Sequence, residues 1–201
     1  MDHRIEILAR ETGYDGFFRL ERIRLRHRLF GGDMSPPIVR EVVDKGDVAA
    51  VLPYDPVRDT VVLIEQFRIG ALAAPGGAWL TEIVAGLIEP GETPEEVARR
   101  EAREEAGCTL LDLEPVCRFL SSPSKSSELS WLYCGRTDST GLGGVHGLAA
   151  EGEDIRVFTL PLETALTEIG GRINSPWPII ALQWLALNRD GLRQRWAGLP
   201  P

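Results

Sequence analysis

Cysteine and histidine are scarce in this chain, three of each among 201 residues. Cys108, Cys117 and Cys134 form no C-x-x-C pair and are odd in number, which fits neither a zinc site nor a disulfide framework. Buried thiols in a reducing compartment are the expectation. His3, His27 and His146 are too scattered to hold a metal together. No run of 18 apolar residues occurs, so no transmembrane helix is expected. The opening stretch, MDHRIEILARETGYDG, carries no apolar core of signal-peptide length, and a cytoplasmic location follows as the default. Basic residues are also in deficit: 22 against 30 acids, for a net charge of −8. That field repels nucleic-acid phosphates, and no basic stripe is interleaved with aromatics, so neither nucleic acid nor membrane is expected as a partner. An anionic small molecule stays open if arginines or metal ions bring positive charge to it.

What is present is ordinary for a globular chain with one ample core, with or without a small appendage. The first forty-odd residues read as strands. Apolar and basic residues alternate from Leu20 to Leu29, Gly31-Gly32-Asp33 signals a turn, and Ile38 to Val43 is extended again. This opening region, residues 1–46, has little core of its own. Residues 47–201 form the second domain. There, Val48–Leu52, Thr60–Phe67, Leu80–Ala85, Val116–Leu120, Leu129–Cys134 and Ile155–Leu160 are expected strands, with loops at 70–79 and across the Gly-rich stretch before Asp154. Helices are expected at Pro94–Ala106, Leu162–Ile169 and Pro178–Trp196, the last with Ile179, Leu182, Leu185 and Leu187 on its apolar side and Trp177, Trp184 and Trp196 packing around it. Short strands with few helices argue for α+β, an α/β/α sandwich with a mixed sheet.

The informative segment is Gly86 to Cys108, GLIEPGETPEEVARREAREEAGC. Thr93 and Glu96 make a T-x-x-E capping box, Pro94 suits the first helical position, and Gly107 ends the helix. Successive helical residues turn by about 100°, so Glu101, Glu104 and Glu105 share one face. Glu101 and Glu105 are a repelling i, i+4 pair. The first half of the helix offsets its acids by Glu95 with Arg99 and Glu96 with Arg100; the second half accumulates acid. A divalent cation, hard and partial to oxygen, would relieve it.

The segment resembles the signature of the Nudix hydrolase family, G-x5-E-x7-R-E-U-x-E-E-x-G-U, with U aliphatic. Gly86, Glu92, Arg100, Glu101, Glu104, Glu105 and Gly107 fall on its fixed positions; Ala102 and Cys108 are smaller than usual. The resemblance implies an α/β/α sandwich and a Mg²⁺ site, with Mn²⁺ or Zn²⁺ as substitutes. Glu101 and Glu105 would be the chief ligands, with Glu104 and the carbonyl of Ala85. Glu92 and Arg100 would brace the loop against the helix, and Gly86 and Gly91 would permit the tight loop.

Beyond the box, the chain is similar to the bacterial ADP-ribose pyrophosphatase subfamily. Pro123 lies 16 positions past Gly107, as in that group, and RHRLFGGDMS, AAVLPYDPVRDTVVLIEQFRIG and GVHGLAAEGEDIRV read as theirs, although Ser124-Lys125-Ser126 stands where a Gly-Gly pair is frequent. The likeness implies Mg²⁺-dependent hydrolysis of ADP-ribose to AMP and ribose 5-phosphate. It makes Glu151 the general base, with Glu105 at the catalytic centre, and Glu153 a further ligand. Phe17 would stack on adenine, Arg40 and Arg68 would hold phosphates or the terminal ribose, and Glu82 would hydrogen-bond the adenosine. It also implies a homodimer with exchanged N-terminal strands. The alternatives are another nucleoside diphosphate-sugar, such as GDP-mannose, and a non-catalytic ADP-ribose sensor, which an intact box disfavours.

Overall fold

The computed structural model describes residues 4–198, apart from the side chain of Glu151. It divides into two compact units, one reaching to Asp47 and taking in Phe119–Leu129, the other formed by Val48–Arg118 and the chain from Ser130 onward. The sequence division between 46 and 47 leaves residues 119–129 with the second domain, whereas the structure groups them with the first.

The first unit is a three-stranded antiparallel sheet, β1 (Ile5–Asp15), β2 (Arg19–His27) and β3 (Ile38–Asp44). Its alternation is the one seen in sequence: Leu25 faces Ile7 and Ile38 across the ladder, and Arg22 faces Glu11 and Glu41. The segment 119–129 joins β3 by backbone hydrogen bonds, Val43 N–H to Lys125 O at 2.8 Å and Ser127 N–H to Val43 O at 3.1 Å. This pairing captures the Ser-rich turn, and no residue pattern within the turn announced it.

The second unit is a sandwich around a mixed sheet. Its strands are β4 (Val48–Asp55), β5 (Thr60–Phe67), β6 (Trp79–Glu82), β7 (Val84–Leu87), β8 (Asp112–Leu120), β9 (Leu129–Arg136), β10 (Gly144–His146) and β11 (Ile155–Pro161). The main order is β10-β11-β5-β4-β9-β8, with β4 and β9 parallel. β4 and β5 pair only at Tyr54↔Val61 and Asp55↔Thr60, beside the turn that joins them. Beyond it they diverge, and β6 and β7 enter the fork, β6 on β5 and β7 on β4. The single strand expected at Leu80–Ala85 is therefore two strands, separated at Ile83.

Helix α1 (Pro94–Ala106) covers one face through Ala98, Ala102 and Ala106, which pack with Val51, Val62, Ile64 and Val84. Methyl side chains at four-residue spacing let the helix lie close on the sheet, which is why a small Ala102 suits this position. On the other face, α3 (Pro176–Trp196) brings Trp196 to Tyr54, ring centroids 6.4 Å apart, and Trp177 donates to Ser130 Oγ at 3.0 Å. Short α2 (Leu162–Thr167) precedes it. Leu187 departs from expectation, 87% exposed: two residues past the buried Leu185, it is turned by about 200° around the helix. Cys117, on β8, is exposed, while Cys108 and Cys134 are buried.

Candidate active site

The helix that carries the acids begins as its sequence dictates. Thr93 Oγ1 accepts the Glu96 N–H at 3.3 Å, and the Glu96 carboxylate accepts the Thr93 N–H at 2.8 Å. Such a cap stabilises by about 1 kcal/mol. Gly107 closes the helix at φ 59°, a left-handed position favouring glycine. A Cβ there would also stand 2.7 Å from the ring of His146, which packs against the helix end. The expected Glu95–Arg99 and Glu96–Arg100 pairs do not form. Glu96 is held by the cap, Glu95 accepts from the Tyr133 hydroxyl at 3.0 Å, and Arg99 donates to the Leu110 carbonyl.

Arg100 turns instead toward the functional face. Its guanidinium meets both oxygens of Glu92 at 3.0 and 3.2 Å, Glu101 at 2.7 Å and Glu104 at 3.1 Å. Glu92 also accepts the Glu89 N–H, so the loop is tied to the helix by charge-assisted bonds. Arg100 thereby offsets part of the repulsion among the acids. Gly86 has a spatial reason: a Cβ on it would overlap the Glu101 carboxylate. Its φ is ordinary, whereas Gly91 adopts φ 96°.

Glu105 is the acid left without a cation at hydrogen-bonding distance. It is 3% exposed, and its carboxylate accepts one bond, from the Ala85 N–H at 3.0 Å. Burial pushes its pKa up to about 8; the charges of Glu101 and Glu153 push the same way, while the Ala85 N–H and Arg68 oppose them. Glu101 is raised too, first by burial, then by Glu104 and Glu153, with Arg100 opposing. Glu153 thus acts electrically on both helix acids. It accepts the Leu148 N–H at 2.9 Å. Glu151 ends a 3-10 turn, Ala149–Glu151, two residues earlier; its side chain lies outside the described residues. The Gly147 N–H donates to the Glu104 carbonyl at 3.4 Å, which ties this loop to α1.

Beside these acids a cleft of about 250 Å³ is lined by Val48, Arg68, Glu82, Ala85, Gly86, Leu87 and Trp177. Arg68 Nε donates to Glu82 at 2.7 Å, and Glu82 is 5% exposed. The sequence singled out both residues but not their partnership. Trp177, here in the cleft, was expected only as packing, and Val48 only as the start of a strand. Phe17, Arg40 and Pro123 lie in the first unit. Phe17 is 68% exposed, with Lys45 Nζ 3.9 Å over its ring; Arg40 is exposed on β3, donating to the Val39 carbonyl; Pro123 is exposed in its turn.

A ligand for such a site can be judged from its donors. Among the described residues, no three acidic, histidine or cysteine side chains already form a ligand cluster, because Arg100 engages Glu101 and Glu104 while Glu105 turns to Ala85. The chemistry nevertheless fits a hard divalent cation: every donor is an oxygen, and a buried carboxyl lacks a counter-charge.

A NUDIX domain model matches residues 44–175, and the chain belongs to this family, whose members generally use divalent metal ions. It is 50% identical over 194 residues to the ADP-ribose pyrophosphatase of Escherichia coli (strain K12), covering 96% of this chain and 93% of that protein. It is 44% identical to the ADP-ribose pyrophosphatase of Haemophilus influenzae (strain ATCC 51907 / DSM 11121 / KW20 / Rd), over 96% and 90%. The GDP-mannose pyrophosphatase of Enterobacter sp. (strain 638) shares 32%, over 94% and 98%. A solved structure described as an ADP compounds hydrolase has the same fold, with a TM-score of 0.71 at 23% identity, over 94% of this chain and 96% of that one.

Proposed function

We propose that this protein is a hydrolase that cuts the pyrophosphate of ADP-ribose, giving AMP and ribose 5-phosphate by attack of water on phosphorus. One observation carries the reading: a buried, cation-poor carboxyl on the box helix stands next to a cleft containing an arginine. The 50% identity to an ADP-ribose pyrophosphatase, against 32% to a GDP-mannose pyrophosphatase, favours ADP-ribose over GDP-mannose.

Glu101, Glu104, Glu105, Glu153 and the Ala85 carbonyl would hold the divalent ion, Mg²⁺ in our reading. When bound, such an ion neutralises phosphate charge and makes water more acidic. The chain's own residues do the rest. Arg68 orients a phosphate or ribose by its planar fork, and Glu82 fixes that fork while offering an acceptor to the adenosine. Glu151 takes the proton from the attacking water, and its loop opens to release product. Arg100 and Glu92 keep the acids in register without touching substrate.

Phe17, Arg40 and Pro123 would serve the base and the far ends of the substrate. We propose a homodimer in which exchanged N-terminal strands deliver Phe17 and Arg40 to the partner's site; a fully active monomer by light scattering would refute it. The buried free thiols of Cys108 and Cys134 support a reducing, cytoplasmic setting.

The test of function is a panel of ADP-ribose, GDP-mannose, NADH, FAD and diadenosine polyphosphates with Mg²⁺, followed by chromatography of the products. ADP-ribose should give AMP and the highest kcat/KM. Faster turnover of GDP-mannose would reverse the assignment, and no turnover of any substrate would favour a sensor.

A further inference from the structure

A buried polar atom two residues from Arg68 has no partner. Gln66 is 6% exposed, and its Nε2 is buried with no hydrogen bond. Strand alternation puts Gln66 on the face of β5 that bears Val62 and Ile64, the face covered by α1. On β6 its register partner is Leu80, while Glu82 pairs with Ile64. Arg68, two residues beyond Gln66, reaches back to Glu82. On the opposite side β11 pairs Arg156 with Glu65, which brings the chain at Ile155 alongside Gln66, with Glu153 two residues further. By register Gln66 thus sits in the sheet between β6, which carries Glu82, and β11, which follows the Glu153 loop.

A buried amide donor left unpaired is costly, and an apolar side chain of the same length would avoid that cost. Its register neighbours Leu80 and Ile155 carry no side-chain acceptor, Arg68 lies two residues on, and an incoming oxygen acceptor would satisfy the donor. From this we infer that Gln66 is a substrate-binding residue whose Nε2 donates to an oxygen of the substrate's diphosphate or terminal ribose once the Arg68–Glu82 bridge admits it. The inference rests on the ADP-ribose reading.

The experiment compares wild type with Gln66→Met and Gln66→Leu, measuring calorimetric binding of α,β-methylene ADP-ribose and α,β-methylene ADP, together with the melting temperature of the free proteins. Both variants should melt at or above the wild-type temperature, because they remove an unpaired group. Binding should weaken by about tenfold, the value of one hydrogen bond to a charged or well-placed acceptor. Weakening with both analogues places the acceptor on the diphosphate; weakening with the ADP-ribose analogue alone places it on the terminal ribose. Unchanged binding in either variant, or a loss accompanied by a lower melting temperature, overturns the assignment. A wild type that binds neither analogue overturns the ADP-ribose reading itself, and this inference with it.

Discussion

Glu105→Gln should make the cation-free protein more stable at neutral pH. In the fold, Glu105 keeps its proton up to about pH 8, against an ordinary 4.5, chiefly because it is buried. Between these values the folded state holds a proton that the unfolded chain has released, so stability falls as pH rises through the window and levels off above it. A tenfold preference for the protonated form is worth about 1.4 kcal/mol. The interval from 4.5 to pH 7.5 holds three such factors, a ceiling of about 4 kcal/mol. Relaxation and water entry lessen desolvation costs, and about 2 kcal/mol is the expected difference at pH 7.5. Glutamine keeps a carbonyl oxygen for the Ala85 N–H and has no proton to lose. The assay is urea unfolding in EDTA, followed by tryptophan fluorescence, at pH 5, 6, 7 and 8. The two proteins should nearly coincide at pH 5 and diverge steadily to pH 8, with the variant ahead. Glu101 titrates in both and largely cancels from the difference. With Mg²⁺ in excess the order should reverse if Glu105 is a ligand as proposed, because the variant would then lose one. A difference that does not change with pH would refute this account of the buried carboxyl.

Gly86→Ala should displace the Glu101 carboxylate, raising the Mg²⁺ concentration needed for half-maximal activity by tenfold or more while the circular dichroism spectrum is kept; a wild-type metal titration would contradict that packing argument. Arg68→Ala strands the buried Glu82, and because Arg68 is itself over a third exposed the stability loss should be near 1–2 kcal/mol, below the range for fully buried pairs. Its KM should rise as well, and an unchanged KM would remove Arg68 from the substrate. Glu151→Gln should lower kcat by orders of magnitude and leave Mg²⁺ binding by calorimetry intact, whereas wild-type turnover would dismiss Glu151 as the base.

The box helix was legible to the residue, from Pro94 to Ala106, because its cap, first-turn proline and terminal glycine are local signals that no tertiary contact overrides. β5 was equally clear, since Thr60–Phe67 is a β-rich run bounded by turns. The pairing of charges was legible only in part: the family resemblance gave the Glu92–Arg100 brace, which forms, while spacing gave helix pairs that do not. Spacing alone assigned Arg100 to Glu96, yet the cap claims Glu96, and Glu92 from the loop, the adjacent Glu101 and Glu104 one turn on converge on the guanidinium. Nor could local pattern show that Thr81–Glu82 and Val84–Ala85 belong to different strands, because the break depends on β4 and β5 having diverged. β10 was hidden for another reason: three residues, Gly144–His146, held only by pairing with β11, inside a stretch whose glycines signal a loop. Gln66 escaped notice because an uncharged polar residue in an apolar strand is conspicuous only when its partners can be counted.

The fork between β4 and β5 has a consequence for where a protein of this design can keep charge. A sheet ordinarily carries its unpaired backbone groups at its outer rim, in contact with water. Forking brings two such margins indoors, the outer sides of β6 and β7, since β6 bonds only to β5 and β7 only to β4. Ala85 is on one of these inner margins, and the carboxylate of Glu105 meets its N–H there. The backbone thus supplies hospitality for an acid that an unbroken sheet could not accept in its interior, because every amide would already be spoken for.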